Sequence, residues 1–196
     1  NALATSIGGA VYEQTMPPHD QIVGVREIVR PIAHKCFVAL PGNHEARTIK
    51  AANIDPLEFG ICDPLGIPYF GEPVYLDVLW RGQVFTFFLR HGTSGAQTPG
   101  GKMNNAARSL LTNEYTMFTI SGHVHDPASD KGQKRCPEFI RDEHGEIVNM
   151  RIVTRVEHIV ICPATYGHFG TYAARAEYAP VAHNLVVACV LEESGK

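Results

Sequence analysis

The sequence lacks the features that would assign it at once to a nucleic-acid-binding or a membrane class. Lys and Arg number 17 against 20 Asp and Glu, so the formal charge is −3 and gives no case for a general nucleic-acid binder, although a local basic face stays possible. No apolar stretch reaches the length that a bilayer needs. A chain of 196 residues can bury a sizeable core, so we expect a globular protein.

Paired cysteine motifs are also missing. The five cysteines are odd in number and widely spaced, and none forms a C-x-x-C pair: Cys36, Cys62, Cys136, Cys162 and Cys189. Several lie in apolar runs, where a free cysteine usually behaves as a small buried hydrophobic residue. This usage is typical of a reducing compartment, so we expect a cytoplasmic protein without disulfides.

No internal repeat, low-complexity tract or Pro/Ser-rich linker divides the sequence. We therefore expect one domain over residues 1–196, of α/β class. Apolar periodicity predicts a helix that follows an N-cap at Asp20 and that Pro31 kinks or ends, and helices over 47–53 and 103–111. Strands are predicted at 36–40, 74–80, 83–89, 115–120, 139–141, 147–156, 157–162 and 185–191. The stretches 54–68 and 165–180 are expected to be irregular.

Three short motifs each follow a strand-like apolar run. The first is Gly42-Asn43-His44-Glu45, the second is His91-Gly92, and the third is Gly122-His123-Val124-His125. Loops at strand ends are where α/β proteins place their chemistry. An amide oxygen and several imidazoles in three such loops form a pattern that is typical of a metal site. Taken singly, each histidine could equally be an ordinary surface residue.

In this order the three motifs resemble those of the calcineurin-like metallophosphoesterases, and the segment 1–14 is similar to phage-type and metagenomic members. The resemblance implies a four-layer α/β/β/α sandwich of two mixed sheets. It also implies that the family's first strand, with its D-x-H and G-D-x-x-D ligand loops, lies upstream of Asn1. We therefore expect residues 1–196 to be a metallophosphoesterase domain without its N-terminal part.

The resemblance implies two divalent metal ions, with Mn²⁺ favoured and Fe, Zn or Ni as alternatives. Asn43, His91 and His123 would bind the second ion and His125 the first, while His44 would be catalytic, acting on the phosphoryl oxygens or protonating the leaving group. Glu45 and Asp126 would at most orient the histidines, and Glu45 could equally be a helix N-terminal charge.

The implied function is metal-dependent phosphoester hydrolysis, with a phosphodiesterase or nuclease favoured over a phosphomonoesterase, and nucleic acid as one candidate substrate. The carboxylate ligands of the family are missing from the chain, so the activity of the chain alone is left open. The alternative is a non-catalytic metallophosphoesterase-like scaffold that binds a protein partner. Degenerate scaffolds usually lose ligands piecemeal, whereas this chain lacks only the upstream block.

Other candidates keep two interpretations each. The stretch 92–102 could bind phosphate through backbone N–H groups, but it has no Walker spacing and a plain flexible loop is favoured. His168 could border the cleft. Tyr166, Phe169 and Tyr172 could stack on a base or simply pack. The remaining histidines are expected at surface or strand positions: His19, His34, His144, His158 and His183.

Overall fold

The computed structural model describes residues 16–92, 96, 98–108, 116–123 and 128–162. Its contacts divide the chain into two compact units, Asn1–Val74 and Tyr75–Lys196. The expectation of a single domain stays a prediction, and the loop predicted at 165–180 and the strand predicted at 185–191 lie outside the described residues. No helix among the described residues has the length and apolar character needed to cross a membrane.

The first unit begins with helix α1 at Pro18–Val29, which continues as a 3₁₀ helix at Arg30–Lys35. The apolar spacing predicted this helix correctly, but the N-cap is Pro17 and not Asp20. Pro18 is the first helical residue, where a proline is favourable because the N–H that it lacks would have no partner. Asp20 lies in the first turn, where its charge interacts favourably with the helix dipole. The change to 3₁₀ geometry coincides with Pro31.

The buried strand predicted at 36–40 is wrong. Among the described residues, this segment makes a single parallel bridge, between Ala39 and Tyr69, and Phe37 is 65% exposed. A strand needs a partner along its whole length, and the chain around Tyr69 supplies one bridged position. An apolar run of five residues does not reveal by itself whether such a partner exists.

The helix predicted at 47–53 begins earlier, because α2 spans Asn43–Ala52. The G-N-H-E motif is therefore the first turn of a helix and not a loop. The segment 54–68, predicted to be irregular, is largely helical instead: a π-helical turn at Glu58–Cys62 leads into the short α3 at Asp63–Leu65.

Asp55 starts this second helical segment. Its Oδ1 accepts hydrogen bonds from the backbone N–H groups of Leu57 (2.9 Å) and Glu58 (3.3 Å), which is N-capping by a side chain. Its Oδ2 accepts a hydrogen bond from the hydroxyl of Tyr69. A carboxylate bonded at both oxygens explains why a stretch rich in Pro, Gly and Asp still forms helical turns.

The second unit is built on a mixed five-stranded sheet in the order β1-β2-β3-β5-β4, so the α/β class is confirmed. The strands are β1 Val74–Trp80, β2 Gln83–Arg90, β3 Phe118–Ser121, β4 Ala128–Arg141 and β5 Ile147–Ile161. β3 lies parallel to both β2 and β5, whereas β4 is antiparallel to β5. This arrangement brings the carboxyl ends of three strands to one edge.

The hairpin predicted from β1 and β2 is confirmed. Its two-residue turn is Arg81-Gly82, and both residues have positive φ (47° and 76°). Such turns match the right-handed twist of the flanking strands. The hairpin predicted around 142–145 is also confirmed, but its strands are longer than expected. The pieces predicted at 147–156 and 157–162 form the single strand β5.

Helix α4, at Pro99–Ala107, covers this sheet. Its buried Ala106 packs with Ile159 and Ile161 of β5. The helix predicted at 103–111 thus exists but starts four residues earlier, so the flexible loop favoured for 92–102 is wrong for its last four residues. Thr98 marks the start, because its Oγ1 accepts the backbone N–H of Gly101 at 3.2 Å.

Candidate functional site

Two of the predicted ligands follow neighbouring parallel strands. His91 comes directly after β2, and His123 comes two residues after the end of β3. The strands end in register, with Arg90 paired to Ser121. Because parallel strands present their carboxyl ends at the same edge, both histidines emerge at one place.

The two imidazoles are in direct contact. The Nε2 atom of His91 lies 3.0 Å from Nδ1 of His123, and the ring centroids are 4.8 Å apart at an interplanar angle of 63°. Both side chains are half-buried. At this separation the pair can share a hydrogen bond, in which one ring nitrogen donates its N–H to the other.

Glycines allow the two loops to approach each other. Gly92 has a φ of 86°, and a Cβ there would lie 3.1 Å from the carbonyl oxygen of Gly122. A Cβ on Gly122 would lie 3.3 Å from the carbonyl oxygen of His91. His123 itself has a φ of 67°. This left-handed conformation is uncommon for a residue with a Cβ, and such conformations cluster at functional sites.

Arg90 joins the elements beneath this pair. Its Nε donates to Oγ of Ser121 at 2.9 Å, and its Nη2 donates to the carbonyl oxygens of Asn105 (2.9 Å) and Ala106 (3.4 Å). Arg90 had no predicted role, although a charged residue at the end of the apolar run 84–89 indicates a position with a specific partner.

A buried polar cluster on the same sheet was likewise not predicted from the sequence. Glu157 is fully buried, and its Oε1 accepts the hydroxyls of Thr116 (2.8 Å) and Thr119 (2.6 Å). Its Oε2 is buried without a hydrogen-bond partner. A single Glu in an apolar strand pattern carries no signal for such a cluster, because its partners come from a different segment.

The other predicted residues of the G-N-H-E motif belong to the first unit. Asn43 and His44 are the first two residues of α2 and are half-buried. Glu45 accepts the backbone N–H of Gly42 at 2.9 Å through Oε2, which favours its interpretation as a helix N-terminal group. The meeting of Asn43 and His44 with His91 and His123 stays a prediction.

Several predicted residues lie outside the described part of the chain. They are His125, Asp126, His168, His183, Tyr166, Phe169 and Tyr172. Four of the histidines expected at surface or strand positions are exposed, namely His19, His34, His144 and His158. The four described cysteines are all free. Within the ranges that the structure describes, no three His, Cys, Asp or Glu side chains gather into a group that could hold a metal.

The His91–His123 pair still fits part of a metal site. Two ligand nitrogens about 2.0–2.1 Å from one ion are about 2.8–3.4 Å apart when the angle at the ion is about 90–110°. The observed 3.0 Å lies within that interval. The described residues therefore supply two convergent nitrogen donors, and a full set needs further ligands.

Comparison with known proteins does not identify a family for the chain. Compared with protein-family models, with curated proteins and with solved structures, the chain gives no match. Any functional conclusion therefore depends on the motifs and on the geometry of the site.

Proposed function

We propose that the chain is a metal-dependent phosphoester hydrolase of calcineurin-like type and that it contributes ligands to a dinuclear centre. The observation that carries the proposal is the 3.0 Å contact between His91 and His123 at the carboxyl ends of two parallel strands. The strand-end placement of the motifs predicted this contact, and the separation of the two nitrogens suits ligands of a single ion. The finer architecture, a four-layer sandwich of two sheets, is part of the same proposal.

Each residue has a separate task in this proposal. His91 and His123 would hold one divalent ion, the amide oxygen of Asn43 would be a further ligand of that ion, and His125 would contribute to the other ion. The chemistry supplied by bound divalent ions is Lewis-acid polarisation of the phosphoryl oxygens and activation of an attacking water. His44 donates a proton to the leaving oxygen, as a histidine can near neutral pH.

The carboxylate ligands of the metallophosphoesterase family are missing from the 196 residues, and this limits the metal affinity and the activity expected of the chain alone. Without a carboxylate that bridges two ions, we expect the site to hold one ion weakly and to hydrolyse a diester slowly. Phosphodiesters are favoured as substrates over monoesters, and nucleic acid is one candidate. The formal charge of −3 argues against broad affinity for nucleic acid, so such a substrate would need a local contact surface.

The direct test uses the purified 196-residue chain. Hydrolysis of bis(p-nitrophenyl) phosphate and of p-nitrophenyl phosphate is measured with and without Mn²⁺, for the wild type and for His123→Ala. The control is His144→Ala, which changes an exposed histidine in the β4–β5 turn. We expect slow Mn²⁺-dependent cleavage of the diester that His123→Ala abolishes and His144→Ala preserves.

The other outcomes separate the alternatives. Metal binding at His123 without any turnover would favour the non-catalytic scaffold. Turnover that His123→Ala leaves unchanged would refute the proposed site. Fast turnover would show that another carboxylate completes the centre, and Asp20 and Glu13 would be the first residues to replace.

A further inference from the structure

Arg90 joins three separate elements next to the histidine pair. It is the last residue of β2, it binds the Ser121 hydroxyl at the end of β3, and it binds two carbonyl oxygens of α4. Ser121 is only 1% exposed, whereas Arg90 is half-buried, so the first of these bonds is partly shielded from solvent. A guanidinium can serve acceptors in different directions at once because its donors form a rigid planar fork.

The two residues of this contact lie one and two positions before the two histidines. Arg90 is adjacent to His91 in sequence, and Ser121 is two residues before His123. The backbone reinforces the contact, because the N–H of Gly122 donates to the carbonyl oxygen of Arg90 at 3.3 Å. Beyond this point the sheet pairing ends and the two loops begin.

We propose that Arg90 is a positioning residue that sets the separation of the His91 and His123 nitrogens, and therefore the metal affinity of the pair. In this proposal Arg90 acts through its hydrogen bond to Ser121 and through the backbone hydrogen bond from Gly122. The link to metal affinity rests on the proposed function, whereas the link to the histidine geometry does not.

The C-terminal end of α4 explains why a cation suits this position. Asn105 and Ala106 are among the last residues of α4, where the negative end of the helix dipole lies. The positive charge of Arg90 interacts favourably with that end, and its Nη2 donates to both carbonyl oxygens. The same side chain thus fixes α4 and the ends of β2 and β3 to one another.

The experiment compares Arg90→Gln, Arg90→Lys and Ser121→Ala in the full chain with Arg135→Gln, which removes an exposed arginine of β4. Imidazole ¹⁵N NMR of the metal-free protein reports the protonation of each ring nitrogen and the hydrogen bond between His91 and His123. A Co²⁺ titration reports the affinity of the site, and thermal unfolding reports stability.

We expect Arg90→Gln to disrupt the NMR signature of the pair and to lower Co²⁺ affinity by about 10–100-fold, which is typical when an outer partner of metal ligands is lost. Arg90→Lys should restore part of the affinity, because it keeps the charge near α4 but loses the fork. Ser121→Ala removes one contact and should give a smaller loss. Arg135→Gln should match the wild type.

The proposal is overturned if Arg90→Gln leaves the ring signals and the Co²⁺ affinity within about twofold of wild type, even if its unfolding temperature falls. That pattern would make Arg90 a structural residue alone. If Arg90→Gln does not fold, unchanged ring signals in both Ser121→Ala and Arg90→Lys overturn the proposal. If the wild type binds no Co²⁺, the proposed function fails, while the metal-free NMR comparison still decides the role of Arg90.

Discussion

Replacing Gly92 by alanine tests the geometry of the site with the smallest possible change. Gly92 has a φ of 86°, and an added Cβ would lie 3.1 Å from the carbonyl oxygen of Gly122. That oxygen belongs to the backbone that leads into His123. The substitution therefore combines backbone strain at Gly92 with steric pressure on the neighbouring loop.

The two effects can be separated with a matched control. Gly145, in the β4–β5 turn, has a φ of 84°, and a Cβ there would meet nothing within 4 Å. Gly145→Ala therefore carries the strain alone, about 1–2 kcal/mol for a left-handed residue with a Cβ. Gly92→Ala carries the same strain and also a contact that the Gly122 carbonyl must relieve by moving. We expect a total loss of about 2–3 kcal/mol for Gly92→Ala, because overpacking typically adds about 1 kcal/mol or more.

Urea unfolding of the two variants measures the stability difference, and Co²⁺ titration measures the site. Gly92→Ala should lower Co²⁺ affinity, since the carbonyl that moves is one residue before His123, while Gly145→Ala should not. Equal stability losses in the two variants, together with an unchanged Co²⁺ affinity for Gly92→Ala, would refute the close contact between the two loops as the basis of the site.

Three further predictions test other parts of the molecule. His44→Ala should lower the rate of phosphoester hydrolysis by about 10²–10⁴-fold at unchanged metal content, whereas His123→Ala should lose metal. Rate and metal content are measured on the same samples. Loss of metal from both variants would make His44 a ligand. Asp55→Ala should destabilise the chain by about 1–3 kcal/mol in urea unfolding, because it removes a helix cap and the partner of the Tyr69 hydroxyl, and Asp55→Asn should keep most of the cap. Burial, and then the nearby carboxylates, raise the pKa of Cys62 to about 11. Iodoacetamide should therefore label this thiol very slowly at pH 8 and faster as the pH approaches 11. Labelling at pH 8 that is as fast as labelling in urea would contradict the burial of Cys62.

The sequence predicted the parts of the fold whose signal is local. The hairpin of β1 and β2 combines alternating apolar residues with a turn at Arg81-Gly82, and two consecutive residues with positive φ fit the strand twist. The amphipathic spacing of α1 likewise predicted its type, although Pro17 and not Asp20 caps it.

The failures share a different cause, since each depends on residues distant in sequence. The segment 36–40 has the composition of a strand but only the bridge at Ala39 among the described residues. The segment 54–68 forms helical turns because Asp55 caps one end and binds Tyr69, 14 residues away. Composition shows neither partner, so periodicity alone could not decide these segments.

The site shows the same division between residue identity and residue position. Strand-end placement was enough to predict that His91 and His123 meet, because parallel neighbours end at one edge of a sheet. The features that set their separation are Arg90, Ser121 and the glycines of the two loops, and these depend on contacts between segments about 30 residues apart. The motifs therefore predict which two imidazoles meet, while the supporting contacts set the separation of their nitrogens. The Arg90 and Gly92 variants change those contacts without touching either imidazole, and so they separate a site organised for a metal from two histidines that only lie close together.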